Sequence, residues 1–198
     1  MKQFAPSCER NKDEILQVLQ EALPPSGVVL EVGSGTGQHA VYFAQHLPQV
    51  IWQPTDLKPN LASIRAWSDE AKLANVRAPL ELDLLSGSWP LTSVDAAVCI
   101  NTVHIVSWPG VENLFAGIGR ILRPGGVMYV YGAYRYASRP LESSNEEFDR
   151  WLKARDPVSG VRDFEAVNTL AQRHGLQLTQ DRAMPGNNRS IWWTKVVR

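Results

Sequence analysis

Short apolar runs alternate with apolar positions at helical spacing along most of this chain. The runs are 28–32, 50–52, 80–84, 94–100 and 127–131. They are too continuously apolar to be half exposed, so they predict strands covered on both faces, as in a parallel sheet. Between them Val41, Ala44 and Leu47 recur at helical spacing, then Leu61, Ile64, Ala71 and Leu73. Leu114, Phe115, Ile118, Ile121 and Leu122 mark a third helix, stopped by the Pro-Gly-Gly of 124–126. Strand-helix alternation of this kind predicts an α/β fold with a doubly wound, mostly parallel sheet and helices on both faces.

The last third reads differently. A helix is predicted from Ser144, with Glu147 completing a capping box and Phe148, Trp151 and Leu152 as its packed positions. A second spans 163–174 and stops at Gly175. Two strands, 176–183 and 191–197, then flank the turn MPGNNRS. A short turn makes them an antiparallel hairpin, which brings the predicted sheet to seven strands. Near the start, Asn11 and Glu14 have capping-box spacing, so a first helix is expected from there. We read 1–198 as one domain: 1–24 a helical lid, 27–134 a cofactor-binding core, 135–198 substrate-side helices and the hairpin.

Bulk properties narrow the function. Lys+Arg and Asp+Glu both number 20 in 198 residues, so no global basic field exists to hold nucleic acid, and none is expected as a partner. No apolar run reaches the ~18–20 residues of a membrane span, and the first residues carry no apolar signal core. The two cysteines, Cys8 and Cys99, are too few for a disulfide scaffold, and Cys99 reads as a buried small hydrophobe. A cytoplasmic protein is the expectation, with no signal for an oligomeric state.

The chemistry-bearing motif is LEVGSGTG, 30–37, directly after the first run. Glycines between a strand and a helix allow a tight turn and close approach of a ligand. A nucleotide P-loop requires Lys-Ser/Thr after the last glycine, and Gln38-His39 stand there instead. A dinucleotide loop places its third glycine one residue later than Gly37. What remains is acidic-x-G-x-G-x-G: Glu31, Gly33, Ser34, Gly35 and Gly37. Asp56 follows Gly37 by 19 residues at the end of the second run, the placement of an acid that accepts from a ribose diol. Asp83 and Leu84 end the third run and Asn101 the fourth. Open α/β sheets build their crevice at these strand ends.

In these residues the sequence resembles the class I S-adenosylmethionine-dependent methyltransferases, with their Rossmann-like seven-stranded fold. The resemblance implies S-adenosyl-L-methionine as cofactor and S-adenosyl-L-homocysteine as product. It places Glu31, Gly33, Ser34, Gly35, Gly37, Asp56, Leu57, Asp83, Leu84 and Asn101 around the cofactor. ERNK (9–12), FDRWLKARDPVSGVRDFEAV (148–167) and MPGNNRS (184–190) further resemble a family of methyltransferase-like proteins of bacteria and animals whose acceptor is not established. That likeness adds Arg10 and Asn11 to the cofactor side. Arg189 departs from the family pattern, where an apolar residue is usual.

Outside the cofactor motifs, His104 lies just past the fourth strand. An imidazole near neutrality can take a proton from a nucleophile, which makes it the candidate base. Trp108, Tyr134, Asn187 and Asn188 are candidate walls of an acceptor pocket. His39, His46 and His174 show no metal-ligand spacing and read as surface or packing residues; no metal site is suggested. The expected activity is methyl transfer to a small-molecule acceptor. The alternatives are an NAD(P)-dependent oxidoreductase and a non-catalytic S-adenosylmethionine-binding protein.

Overall fold

A computed structural model describes residues 1–197. Its main sheet has seven strands: β1 (Gly27–Val32), β2 (Val50–Asp56), β3 (Leu80–Glu81), β4 (Val94–Ile100), β5 (Leu122–Gly132), β8 (Leu176–Met184) and β9 (Asn188–Lys195). They lie in the order β3-β2-β1-β4-β5-β9-β8. The first five pair in parallel, β9 runs antiparallel to β5, and β8 runs antiparallel to β9. This is the expected architecture. A two-stranded sheet, β6 (Tyr134–Arg135) with β7 (Arg162–Asp163), has no counterpart in the sequence reading.

Side chains alternate across each central strand, and the two faces feed separate cores. On β4, Ala97 and Cys99 enter one, while Ala96, Val98 and Ile100 enter the other. On β9, Ile191 and Trp193 oppose Trp192 in the same way. The first face is covered by α4 (Trp108–Ile121) and α6 (Phe164–Arg173), through Leu114, Phe115, Ile118 and Val167. The second is covered by α1 (Pro6–Ala22) and α2 (Gln38–His46), through Ile15, Leu19, Phe43 and Ala44. Burial on both faces explains why these strands read as continuous apolar runs. The remaining helix of this region, α3 (Leu61–Ala71), packs on α2 and β2. Among the described residues no helix is long and apolar enough to cross a membrane.

Three boundary readings are corrected. Helix α1 begins at Pro6, so Asn11 lies inside it and caps nothing; Pro6 opens the first turn, where its missing N–H costs no bond. Helix α5 (Ser143–Arg155) starts at Ser143, with Glu142 before it and no side-chain cap, so the box at Ser144 does not form. The third run pairs only over Leu80–Glu81. One packing reading is also corrected. Trp151 is 51% exposed, and α5 buries Asn145, Asp149 and Leu152 instead.

Candidate active site

The glycine loop is pinned to the neighbouring strand before any ligand is considered. The backbone N–H groups of Gly33 and Ser34 both donate to the Thr55 carbonyl at 3.0 Å. Thr55 N returns a bond to Ser34 Oγ at 3.2 Å. Asp56 completes the frame: Oδ2 accepts from Gly35 N at 2.6 Å, and Oδ1 accepts from Leu57 N and Asn60 Nδ2 at 2.7 and 2.8 Å. Asp56 therefore anchors the loop and also ties down the start of the turn that follows it.

The glycines divide into two roles. Gly37, at φ 96°, packs so tightly on α3 that a Cβ would sit 2.8 Å from Ile64 Cα. Gly35, at φ 58°, faces open space, since a Cβ there meets no protein atom within 4 Å. That space belongs to a cavity of about 560 Å³ whose lining includes Gly33, Ser34, Gly35, Asp56, Leu57, Asp83, Leu84 and Asn101. Its apolar wall includes Leu57, Leu82 and Leu84, and Asp56, Asp83 and Asp156 carry its charge. No described lysine or arginine lines it. Such a cavity suits a ligand that combines a cation, hydroxyls and a flat apolar group, and it would repel a pyrophosphate.

Glu31 does not line this cavity. It is 2% exposed behind the loop, where Trp52 Nε1 donates to Oε2 at 3.1 Å. Burial, with Asp56 nearby adding repulsion, pushes its carboxyl up to about 7, against hydrogen bonds from Ser34 and Trp52 that favour the charged form. The three aspartates, not Glu31, give the cavity its sign. Cys99 is fully buried, as expected, and burial pushes its thiol up to about 12.

A second cavity, of about 890 Å³, adjoins the first. Both are lined by Ser7, Asn101, Ile105 and Asp156, so these residues stand at their junction. Asn101 ends β4 at φ 53°, a left-handed conformation that asparagine tolerates better than most residues. Two loops meet beside it. Gly160 N donates to the His104 carbonyl at 2.8 Å, and Ser159 Oγ donates to the Ile105 carbonyl at 2.6 Å. Arg162 ties both loops together, with Nε donating to the Val103 carbonyl at 3.2 Å and Nη2 to the Val158 carbonyl at 2.8 Å.

His104, Arg10, Asn11 and Asn188 line the larger cavity. Arg10 and Asn11 thus line the larger cavity and not the smaller one. Asn11 still touches the smaller cavity indirectly, because its Oδ1 lies 2.9 Å from Nε2 of His39, which lines it. His104 is 5% exposed and meets Phe148 edge-on, with ring centroids 5.0 Å apart. Burial, aided by the charge on Arg162, pulls its imidazole down to about 4, below the near-neutral value expected of a base.

Besides Glu31 and Gly37, three candidates fall outside both cavities. Trp108 packs against the core at the start of α4, and Tyr134 is buried in that core with its hydroxyl unpartnered. Asn187 supports the larger cavity from behind: its carbonyl accepts from Asn145 Nδ2 at 3.0 Å and its Nδ2 donates to Ser144 Oγ at 2.9 Å. Arg189 pairs with Asp181 at 2.7 Å.

Sequence reasoning missed much of the lining. Ser7 and Cys8 of α1 reach the smaller cavity, and Phe148, Trp151 and Arg155 of α5 wall the larger one. The spacing 148, 151, 155 places the last three on one helix face, a signal available in the sequence.

A family model described as "Protein of unknown function (DUF938)" matches residues 2–195. Solved structures share the fold at low identity. An O-methyltransferase family protein from Burkholderia thailandensis is 14% identical, with a TM-score of 0.82 over 96% of this chain and 56% of that one. Human N-acetylserotonin methyltransferase in complex with SAM is 16% identical, with a TM-score of 0.77 over 96% and 53%. An O-methyltransferase family 2 protein from Planctomyces limnophilus, in complex with apigenin, is 16% identical, with a TM-score of 0.78 over 96% and 60%. The chain spans little more than half the length of the solved structures it matches.

Proposed function

We propose that this chain, which belongs to the DUF938 family, binds S-adenosylmethionine in the smaller cavity and methylates a small-molecule acceptor in the larger. The observation that carries this reading is the pair of joined cavities at the carboxyl ends of the strands, the smaller one charged only by aspartates. Gly33 to Thr36 would take the methionine portion, with Gly37 holding the loop against α3, Asp56 the ribose hydroxyls, and Asp83 with Leu57 and Leu84 the adenine. When bound, the cofactor supplies a methyl group already activated on a sulfonium. The protein's share is placement: Asn101 and Ile105 at the junction align the acceptor with the cofactor cavity. We read segment 1–24 as the lid over both cavities, since Ser7 lines each of them. His104 is the candidate catalytic residue of this reading: it lines the larger cavity, and as a neutral imidazole it accepts a hydrogen bond from a hydroxyl or amine acceptor, although burial makes it a weak base.

Calorimetric titration tests the reading. S-adenosylhomocysteine is expected to bind and NAD to fail. Asp56→Ala removes an acceptor of three donors and is expected to weaken S-adenosylhomocysteine about 10- to 100-fold. Asp56→Asn, which preserves shape, should fall between the two. Tight NAD binding without S-adenosylhomocysteine binding would overturn the assignment.

A further inference from the structure

We propose that the acceptor is a flat aromatic molecule bearing an anionic group, a carboxylate or its equivalent, recognised by Arg10 and Arg155. The inference rests on the methyl-transfer reading of the site and specifies its second ligand. The larger cavity has an aromatic wall built in series. His104 stands edge-on to Phe148 at 5.0 Å, and Phe148 lies nearly parallel to Trp151, 18° apart at 5.9 Å. Trp151 leaves half its surface uncovered although it is the largest apolar side chain on α5. A half-exposed indole lining a cavity offers apolar aromatic surface to a ring.

Charge then distinguishes the occupant. Arg155 lies over the Trp151 ring at 4.5 Å. A guanidinium stacked on a ring keeps its N–H donors at its edge, free for a carboxylate. Arg10 approaches from α1, and neither arginine makes a salt bridge among the described residues. Two acids also line this cavity, Glu14 and Asp156. Asp156 is shared with the smaller cavity and belongs to the acidic set there, and its Oδ1 already accepts from Val158 N at 3.1 Å. The two acids and the two arginines balance in formal charge, and the preference for an anion rests on the guanidinium donors of Arg10 and Arg155, which pair with no acid among the described residues.

The test uses a hydroxynaphthoate, its neutral amide and the matching amine, titrated into the whole chain with and without saturating S-adenosylhomocysteine. The carboxylate is expected to bind at least about tenfold tighter than the amide, the gain of one charge-assisted pair. Arg155→Gln and Arg10→Gln should each shrink that preference, and Arg155→Lys should retain part of it. Trp151→Leu should weaken all three probes alike while S-adenosylhomocysteine affinity stays unchanged. Equal binding of carboxylate and amide, tightest binding of the amine, or a preference untouched by both glutamine substitutions would overturn the proposal. Failure of S-adenosylhomocysteine to bind the unaltered chain would instead overturn the methyl-transfer reading, and the probe preference measured without it still decides what the cavity takes.

Discussion

Glu31→Gln should stabilise this protein at alkaline pH and do little at acidic pH. The folded state raises the Glu31 carboxyl from 4.5 to about 7, chiefly by burial. Below pH 4.5 the group is protonated in both folded and unfolded chains and carries no ionisation penalty. Between 4.5 and about 7 the unfolded chain releases its proton while the folded chain keeps it. Stability therefore falls as pH rises, by about 1.4 kcal/mol per unit. Across the whole interval the loss amounts to about 3 kcal/mol. Glutamine has no proton to lose and keeps an oxygen for Trp52 Nε1. Urea denaturation of both proteins at about pH 5 and about pH 8 checks the sign, because other titrating groups cancel in the difference between variant and parent. The variant is expected to gain about 2–3 kcal/mol relative to the parent between the two conditions. A difference that does not move with pH would refute the argument that Glu31 is buried as an acid.

Three other predictions concern the loop and the core. Gly37→Ala adds a Cβ against the α3 backbone at a left-handed φ and should cost about 2–4 kcal/mol in urea denaturation. Gly35→Ala meets no protein atom, so it should cost only about 1–2 kcal/mol of stability while sharply weakening S-adenosylhomocysteine in calorimetry. Trp193→Ala removes a fully buried indole that packs edge-on to Phe115 and donates to Asn168 Oδ1 at 2.9 Å. A loss of about 3–5 kcal/mol in the same denaturation assay is expected.

The central sheet was legible because its strands are covered on both faces, which leaves unbroken apolar runs such as that of β4. Asp56, Asp83 and Asn101 were legible as candidates because each lies at or near the end of an apolar run in the sequence. What a side chain faces was not. Helix α5 misled the reading since polar residues dock it: Asp149 accepts from Val161 N at 2.8 Å, and Asn145 donates to the Asn187 carbonyl. Apolar periodicity therefore pointed to Trp151 as packed when it lines the cavity. Tyr134 misled in the opposite sense, because β6 turns it into the core. The early start of α1 was hidden by the Asn11–Glu14 spacing, which mimics a cap inside a helix already under way.

The position of β9 has a consequence for how the fold is made. It is the last of the seven strands in chain order, yet it lies between β5 and β8 rather than at an edge. During synthesis the first five strands emerge in a parallel set whose β5 border stays open, and β8 emerges with no strand of that set as its neighbour. Only the arrival of residues 188–195 closes the sheet, by pairing with β5 and β8 at once. A nascent chain stalled before that point presents an unpaired border strand, a template for association with other chains. Completion of the sheet thus waits on a strand that lies far from the glycine loop in sequence.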